Sequence, residues 1–599
     1  MRLLRGAAVA LLAGLWLTAL TPAARAGAPE DLHAIIVDFD RFARNADPIG
    51  AGQEGDRAAL SLWPDDSPVV VAARKRDLEG LQHRLQALKG AALDPEDALN
   101  RAFLDRLAGD ELEGLSFDQE REPFSSDNLP FDIPDYAARS TAIHDRADAE
   151  AWIQRLQRLP AYYETEIANA RRGIATGFTQ PRYIVGKVID QVRPQVDQAP
   201  QASPLLAPLQ TLPASIPLPD QADLRARGLA LVRDKVKPAE RAYLDMLERE
   251  YLPKARASLA ARDLPDGARY YAWLARHHTT TELTPDQIHE LGVKEVRRIR
   301  AQMDAAIAET GFKGRFADFL AFLRRDPRFY ARSRQELLEK ASEIDKRIDD
   351  KLPAYFATLP RLTFGVRPVP AEIEDGYTTG RYWPGSPSQG VAGGYMVNTS
   401  HLDQRPLYEL PALTLHESIP GHHLQIALAQ ERQDLPYVRR NADITAYTEG
   451  WGLYAESLGE EMGIYRDAYE RFGRLSFEMW RACRLVADTG IHWLGWSREQ
   501  ARACFVENTA LAAKNIDVEL DRYISWPGQA LAYKVGELRL KRLRQKAEVA
   551  LGPWFDLRRF HDQILLSGPL PLDLLEARID AWIAAEETAA QAKTPGSHQ

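Results

Sequence analysis

The chain has 599 residues, of which 45% are hydrophobic and 27% charged, with a formal net charge of −9; this composition is typical of a soluble globular protein. The length is compatible with roughly three to four domain-sized units or with one large helical enzyme. An acidic chain without a basic stripe is a poor candidate for binding nucleic acid or an anionic membrane surface.

Residues 1–26 are predicted to be a secretory signal peptide. Two arginines precede an apolar run over 7–20, and a small-residue Ala-Arg-Ala motif follows at 24–26, so we expect cleavage after Ala26. The run is short for a membrane anchor, and no later segment is apolar over a membrane-spanning length. Loss of the three arginines in 1–26 lowers the net charge to −12. We therefore expect a periplasmic or secreted protein that does not stay inserted in a membrane.

Only two cysteines occur, Cys483 and Cys504. In an oxidising compartment they could pair, or they could be buried as separate thiols. Because the chain has no Cys-x-x-Cys motif, a cysteine-based zinc or redox site is excluded.

Most of the chain is predicted to be helical, because apolar residues recur every three or four positions. Segments with this pattern are 79–112, 146–172, 225–262, 284–310, 334–350, 473–489, 497–513 and 535–551. The proline-rich stretch 193–221 cannot sustain a helix, and is either a domain linker or a long ordered loop. Strands are predicted at 393–400, and one or two more within 361–383. We thus predict a mainly α protein with a small β element, divided into an N-terminal helical region, 27–220, and a second helical region, 221–599.

The sequence "HESIPGHH", 416–423, is similar to the zinc-binding HExxH motif. In HExxH the two histidines are one helical turn apart, about 6 Å along the axis, and both can reach one zinc ion. Here that position is occupied by Pro420. In a regular helix His422 would point roughly 120° away from His416, and His423 would lie about 10.5 Å further along the axis.

Pro420 and Gly421 offer a way to bring a later histidine into place. Proline has no N–H to donate to the carbonyl of His416, and glycine tolerates almost any backbone conformation. We expect the turn to widen, as π-bulges do at functional sites. Either His422, which we favour, or His423 would then take the second ligand position, and the other would contact a ligand or the substrate.

A third ligand is expected from the predicted helix at 441–463. Glu449 lies 27 residues after His422, which is enough for a helix, a turn and a returning helix. Glu456, two turns later on the same face, is the alternative ligand. Two histidines and a glutamate with one open position form a catalytic type of zinc site, in which Glu417 would accept a proton from water. The alternative is a Pro-Gly turn with surface histidines, but 3 of the 13 histidines fall in these eight residues.

An oxyanion formed during hydrolysis needs a hydrogen-bond donor opposite the base. Tyr533 is the predicted donor, with Gln529 one turn earlier on the same helical face as a substrate-binding residue; a buried structural tyrosine is the alternative. His492 is a second candidate donor, and its alternative is a core histidine bonded to Asp488.

The predicted strand "GGYMVNTS", 393–400, would suit a sheet edge that pairs with an extended peptide. Tyr395 or Asn398 could then contact the substrate. A structural hairpin without contact to substrate is the alternative.

Several long motifs resemble those of one large bacterial family, the domain of unknown function 885 family. The motifs are "YYAWLARHHTTTELTPDQIHELGVKEV", "HESIPGHHLQ", "AYTEGWGLYAE", "RLVADTGIHWLGWSREQA", "YISWPGQALAYKVGELRL" and "FHDQILLSGPLPLDLLE". That family is similar to the helical gluzincin metallopeptidases, the clan of angiotensin-converting enzyme, thimet oligopeptidase and thermostable carboxypeptidase. The resemblance implies a large helical gluzincin-like fold, with the small sheet beside the active-site helices.

The resemblance also implies roles for individual residues. His416, the late histidine and Glu449 would bind zinc, and Glu417 would be the general base. The Gly-His pair at 421–422 matches the end of the HExGH motif of those relatives, which favours His422, although the two-residue insertion departs from their pattern.

We therefore expect region 221–599 to be catalytic and the protein to be a zinc-dependent hydrolase, a metallopeptidase acting on short peptides. One alternative is a zinc amidase acting on a non-peptide or cell-wall amide. The other is a non-catalytic periplasmic binding protein, against which the intact Glu417 argues, because metal binding alone does not need it.

Overall fold

A computed structural model describes residues 27–371 and 373–593. The predicted signal peptide, 1–26, lies outside the described residues. Helices make up 72% of the structure and strands 4%, which confirms the prediction of a mainly α protein with a small sheet.

The first part of the chain, up to the sheet, is a succession of helices joined by short loops. They are α1 (Ala28–Ala46), α2 (Pro48–Gln53), α3 (Pro68–Ala87), α4 (Pro95–Leu115), α5 (Asp132–Ser140), α6 (Arg146–Thr176), α7 (Arg182–Asp197), α8 (Ala207–Gln210), α9 (Leu218–Leu231), α10 (Lys237–Met246), α11 (Gly267–Thr279), α12 (Pro285–Thr310), α13 (Phe316–Arg325), α14 (Arg334–Asp349) and α15 (Leu352–Tyr355).

A three-stranded sheet comes next, followed by the remaining helices. The strands are β1 (Phe364–Pro368), β2 (Gly380–Trp383) and β3 (Gly393–Val397), and the helices are α16 (Leu410–Glu417), α17 (His422–Glu431), α18 (Tyr437–Asn441), α19 (Thr445–Glu461), α20 (Ala468–Thr489), α21 (Arg498–Asn508), α22 (Ala513–Ser525), α23 (Ala532–Leu551), α24 (Leu557–Leu565) and α25 (Leu572–Lys593).

Capping residues at both ends explain why α12 matches its predicted range closely. The Oγ1 of Thr284 accepts a hydrogen bond from the backbone N–H of Gln287, whose side chain accepts one from the N–H of Thr284. Gly311 ends the helix in the left-handed conformation, at φ 73°. A capping box and a terminal glycine satisfy the backbone groups that a helix leaves unpaired.

Three predicted helices have clearly different bounds in the structure, and one of them, 497–513, is continuously helical only to Asn508. The segment 79–112 is split between α3 and α4, because Gly90 adopts a positive φ of 82° in the loop that separates them. The segment 225–262 is continuously helical only as far as Lys254, and a 3₁₀ turn at Ala261–Asp263 follows after a break. Residues 255–260 leave the helix; the backbone N–H of Arg256 donates to Oγ1 of Thr179, and its carbonyl accepts from the N–H of Arg182.

The proline-rich stretch 193–221 is an ordered segment. The prediction that it cannot sustain a helix is wrong for its first residues, because α7 continues through Pro194 to Asp197. Two 3₁₀ turns, Pro200–Ala202 and Pro204–Leu206, and the single turn of α8 follow before α9. Leu205 and Leu209 are buried in the core against the surrounding helices. The stretch is therefore packed onto the protein along its length.

The sheet has the order β1-β3-β2, with β1 parallel and β2 antiparallel to β3. One or two strands were expected within 361–383, and two are present as β1 and β2. The prediction that 393–400 forms a sheet edge is wrong, because β3 is paired on both sides. Strand order depends on pairing between distant segments, which local sequence patterns do not encode.

Close helix packing supports the region that follows the sheet. Helix α19 crosses α23 so tightly that a Cβ on Gly450 would lie 2.6 Å from the Cα of Gly536. Helix α20 packs along α12 and is joined to α21 by a disulfide bond between Cys483 and Cys504. Among the described residues, no helix is both long enough and apolar enough to cross a membrane.

Candidate metal centre

The helix that carries His416 stops immediately after Glu417. Ser418 leaves the helical conformation, the Ile419–Pro420 peptide is cis, and α17 begins at His422. Gly421 passes so close to the preceding turn that a Cβ there would lie 2.0 Å from the carbonyl oxygen of His416. The expected widened turn is thus a complete break between two helices, and it needs glycine at 421.

This break brings three predicted ligands together. Nε2 of His416 lies 3.3 Å from Oε2 of Glu449, and Nε2 of His422 lies 3.4 Å from the same oxygen. One ligand atom from each residue falls within 4.8 Å of the others. Four ligands bound tetrahedrally at about 2.0–2.1 Å are about 3.3 Å apart, so the spacing fits a zinc ion.

The charge of this cluster also suits a divalent cation. Burial opposes ionisation of Glu449, but the two imidazoles hold the pKa of its carboxyl well below the usual value. Burial likewise disfavours a charged His416, yet its hydrogen bonds to Glu449 and Glu456 raise its pKa to about 9. The surrounding carboxylates therefore favour positive charge at this point of the structure.

Glu456 orients His416 from the other side of the imidazole ring. Nδ1 of His416 donates a hydrogen bond to Oε1 of Glu456 over 2.8 Å, and that oxygen also lies 3.2 Å from Nη2 of Arg481. The ring rests on Gly452, where a Cβ would lie 2.5 Å from its Cε1. Glu456, considered above as an alternative ligand, thus holds Nε2 of His416 towards Glu449.

Glu417 is buried beside the cluster and faces the sheet. Its Oε2 accepts a hydrogen bond of 2.8 Å from the backbone N–H of Tyr382 in β2. Within the described chain β2 pairs only with β3, so its other edge is turned towards Glu417. Sequence patterns gave no signal for Tyr382, because its contribution is a backbone N–H.

His423 lies outside the cluster. Its Nδ1 is 2.9 Å from Oη of Tyr382, and its ring centre is 4.3 Å from that of Phe364. Burial lowers the pKa of His423 to about 4. The structure therefore assembles the cluster from His422 and uses His423 to contact the sheet.

Tyr533 and Gln529 lie next to each other at the start of α23. Oη of Tyr533 accepts hydrogen bonds from Arg522, at 3.4 Å, and from Gln529, at 3.5 Å. The guanidinium of Arg484 lies 4.2 Å from the centre of the tyrosine ring. Helix α23 packs on α19, which carries Glu449. The role of Tyr533 as an oxyanion donor stays a prediction.

The prediction that His492 is a donor in the site is wrong. This histidine is fully buried, its Nδ1 accepts from the N–H of Ala261, and its Nε2 donates to the carbonyl of Tyr523. The alternative bond to Asp488 is also absent, because Asp488 accepts from Tyr271 and from the N–H of Gly528. His492 therefore ties three chain segments together.

Tyr395 and Asn398 are likewise structural and do not face a substrate. Oη of Tyr395 lies 3.3 Å from Oγ1 of Thr414 in the core. The amide nitrogen of Asn398 donates to the carbonyls of Glu374, Tyr377 and Thr378. Both side chains were expected at a sheet edge, but the central position of β3 buries them.

Comparison with known proteins identifies relatives of unknown function. A crystal structure of "the putative lipoprotein from Colwellia psychrerythraea" has a TM-score of 0.86 and 28% identity, and the alignment covers 93% of this chain and 100% of that one. The structure of "a putative lipoprotein of unknown function from Shewanella oneidensis" shares the fold, with a TM-score of 0.66, 16% identity and coverage of 92% and 99%. No curated protein matches the chain.

The family profile described as "Bacterial protein of unknown function (DUF885)" matches residues 48–579, most of the length of the chain. The chain therefore belongs to the DUF885 family of bacterial proteins of unknown function.

Proposed function

We propose that the protein is a zinc-dependent metallopeptidase that hydrolyses short peptides, with Glu417 as its general base. The observation that carries this proposal is the spacing of the Nε2 atoms of His416 and His422 around Oε2 of Glu449, at 3.3 and 3.4 Å. The adjacent carboxylate of Glu417 completes the residue set of a gluzincin-like site.

His416, His422 and Glu449 would hold the zinc ion and leave a position open to water and substrate. When bound, zinc polarises a carbonyl group and makes water more acidic. Glu456 would keep the imidazole of His416 oriented, as carboxylates commonly do for histidines that bind metals.

Glu417 would accept a proton from the attacking water and then deliver it to the leaving amine. Its hydrogen bond from the N–H of Tyr382 fixes one carboxylate oxygen. The other oxygen can then exchange the proton. Among the residues of the site, Glu417 is the carboxylate that metal binding alone does not require.

The outer edge of β2, which pairs with no further strand among the described residues, supports a peptide as substrate. An extended peptide can add to a sheet edge through backbone hydrogen bonds, and this edge lies beside Glu417. Tyr533 would donate to the oxyanion of the tetrahedral intermediate. The extended substrate would therefore pair with 380–383, and not with 393–400 as the sequence suggested.

We place the protein outside the cytoplasm. The predicted signal peptide, the disulfide between Cys483 and Cys504 and the description of two structural relatives as lipoproteins all support this location.

The test is substitution of Glu417 by glutamine in the chain without residues 1–26. Glu417→Gln should retain about one zinc ion per chain and lose hydrolysis by about a hundredfold or more. Zinc is measured by mass spectrometry of the purified protein, and hydrolysis with a mixed peptide library with and without chelator. Glu409→Gln is the matched control, because Glu409 is also a buried carboxyl near α16 and burial raises its pKa to about 8, leaving it mostly neutral like glutamine.

Loss of zinc on the Glu417→Gln substitution, or full peptide hydrolysis by this variant, would contradict the proposed role. If the wild-type protein binds zinc but cleaves no peptide in a chelator-sensitive way, the activity is instead that of an amidase or the protein only binds its ligand.

A further inference from the structure

A cavity of about 410 Å³ is lined by acidic side chains. We call it the acidic cavity. Its five carboxylates are Asp66, Glu120, Glu122, Glu166 and Asp443. Within the described chain, neither lysine nor arginine lines it, so a ligand inside meets a concentration of carboxyl groups.

Glu166 is the most confined of these carboxylates. Only 5% of the residue is exposed, and no described residue forms a hydrogen bond or ion pair with its carboxylate. Burial, together with the charges of Asp66, Asp65 and Glu120, raises its pKa to about 8, and a cation bound beside it would favour its ionised form. Buried polar groups are normally paired, so Glu166 has the properties of a group that awaits a positively charged ligand.

Other polar atoms in the cavity wall also have no partner among the described residues. They are Nδ1 of His278, Nε1 of Trp273, Oε1 of Gln180, Oε2 of Glu120 and Oε1 of Glu122. His278 is only 6% exposed, and burial lowers its pKa well below the usual value, so it does not neutralise the carboxylates. The unpaired acceptors outnumber the donors, which suits a ligand rich in N–H groups.

The charges that do lie nearby leave Glu166 uncompensated. Nη2 of Arg74 lies 2.5 Å from one oxygen of Asp66, and His277 is bonded to Asp110. Burial raises the pKa of Glu122 although Arg256 and Arg121 act in the opposite direction.

Aromatic rings form much of the remaining wall. Tyr162, Tyr270 and Trp273 line the cavity, and the last two are stacked with ring centres 6.0 Å apart. Ring faces attract cations, especially where water is excluded. Carboxylates combined with aromatic faces are suited to an ammonium or guanidinium group.

The spacing of the carboxylates argues against a metal ion as ligand. Among the described residues, three ligand atoms converge within metal-binding distance at His416, His422 and Glu449, and no such group occurs in the acidic cavity. An extended organic cation can reach carboxylates that are too far apart to share one metal ion.

Asp443 lines the cavity and precedes α19, the helix that carries Glu449. It lies just before α19, and Glu449 follows four residues after Thr445, the first residue of that helix, or about 6 Å along the axis. Burial raises the pKa of Asp443, and the charge of Glu449 adds to that rise. The cavity wall and the metal cluster therefore each include a residue near the beginning of α19.

We propose that the acidic cavity binds an ammonium or guanidinium group of the substrate, so that the enzyme prefers peptides that carry a positively charged end or side chain. Binding of the cation depends on the cavity alone, whereas its assignment as part of a substrate rests on the proposed peptidase function.

Binding is tested without catalysis, by calorimetric titration of the zinc-loaded chain with n-butylguanidinium and with its neutral isostere n-butylurea. We expect the guanidinium to bind about tenfold more tightly or better, since a hydrogen-bonded charge pair is worth more than a neutral one. Glu166→Gln should remove this difference. Glu164→Gln should keep it, because Glu164 lies on the same helix but is exposed to solvent. n-Butylammonium shows whether the cavity prefers an ammonium.

Circular dichroism and zinc content establish that Glu166→Gln is folded. If it is not, Glu120→Gln replaces it, because Oε2 of Glu120 has no partner among the described residues. Equal affinity of the wild-type chain for guanidinium and urea would overturn the proposal, as would a preference that survives both substitutions.

Hydrolysis separates the cavity from the proposed function. Peptides containing lysine should have a lower KM than matched norleucine peptides, and Glu166→Gln should raise that KM with little change in kcat. If guanidinium binds but no peptide is cleaved, the peptidase function fails and the cation site stands. If peptides are cleaved without any preference for cations, the cation site is wrong and the peptidase function stands.

Discussion

Oε1 of Glu456 lies 2.8 Å from Nδ1 of His416, while Nε2 of the same ring lies 3.3 Å from Oε2 of Glu449. The two glutamates are separated by two turns on one face of α19, and the imidazole lies between them over Gly452. Helix α19 thus supplies one predicted ligand, Glu449, and also Glu456, which orients a second predicted ligand, His416. The direction in which Nε2 of His416 points therefore depends on the spacing of these two glutamates along the helix.

The first prediction concerns the role of Glu456 as a positioning residue. Glu456→Gln should weaken zinc binding by about 10–100-fold, because the imidazole loses the carboxylate that fixes its orientation and raises its basicity. Zinc affinity is measured by competition with a chromophoric chelator. Glu460→Gln is the control on the same helix, since Glu460 interacts with Arg474 near the surface. An unchanged zinc affinity in Glu456→Gln would show that its hydrogen bond does not organise the site.

The second prediction separates the two adjacent histidines. His422→Ala should lose zinc, because its Nε2 is one of the three converging ligand atoms. His423→Ala should retain it, since this ring contacts Tyr382 and Phe364 instead. Metal analysis of both purified variants gives the answer. Zinc retained by His422→Ala and lost by His423→Ala would reverse the assignment.

The sequence is sufficient to predict the helical part of the fold because those signals are local. The capping pair of Thr284 and Gln287 and the apolar periodicity define α12. The position of β3 at the centre of the sheet could not be predicted, because it depends on pairing with β1 and β2 from elsewhere in the chain. The assignments of Tyr395 and Asn398 failed for the same reason.

The site could be predicted as far as its residues are close in sequence or share a helix face. His416, Glu417 and His422 come from one motif, and Glu449 from a helix at a suitable distance. The sequence predicts that Glu456 shares the helix face of Glu449. Its contact with Nδ1 of His416 is visible only in the three-dimensional structure. The hydrogen bonds of His492 to Ala261 and Tyr523 join segments that are distant in the sequence, so sequence patterns could not predict them.

The third prediction concerns metal removal. A ligand that binds only the folded state stabilises it, by about 4 kcal/mol at a thousandfold excess over its Kd. A strong chelator should therefore lower the Tm of the wild-type chain in scanning calorimetry, and added zinc should restore it. His416→Ala should show no such shift. A chelator effect of equal size in that variant would mean that the stabilising metal binds elsewhere.

The last prediction concerns the glycine beneath His416. Alanine within a helix is favoured over glycine by about 1 kcal/mol, so Gly452→Ala would stabilise α19 if the space were free. The space is not free, because the new Cβ would lie 2.5 Å from Cε1 and 2.8 Å from both ring nitrogens of His416. The imidazole must move, and we expect zinc affinity to fall while the helix content stays unchanged. Gly80→Ala is the control, since a Cβ at this position in α3 meets nothing within 4 Å; it should leave zinc binding intact and raise the Tm slightly. If Gly452→Ala binds zinc as tightly as wild type, the ring of His416 does not need its place over α19, and the proposed ligand geometry is wrong.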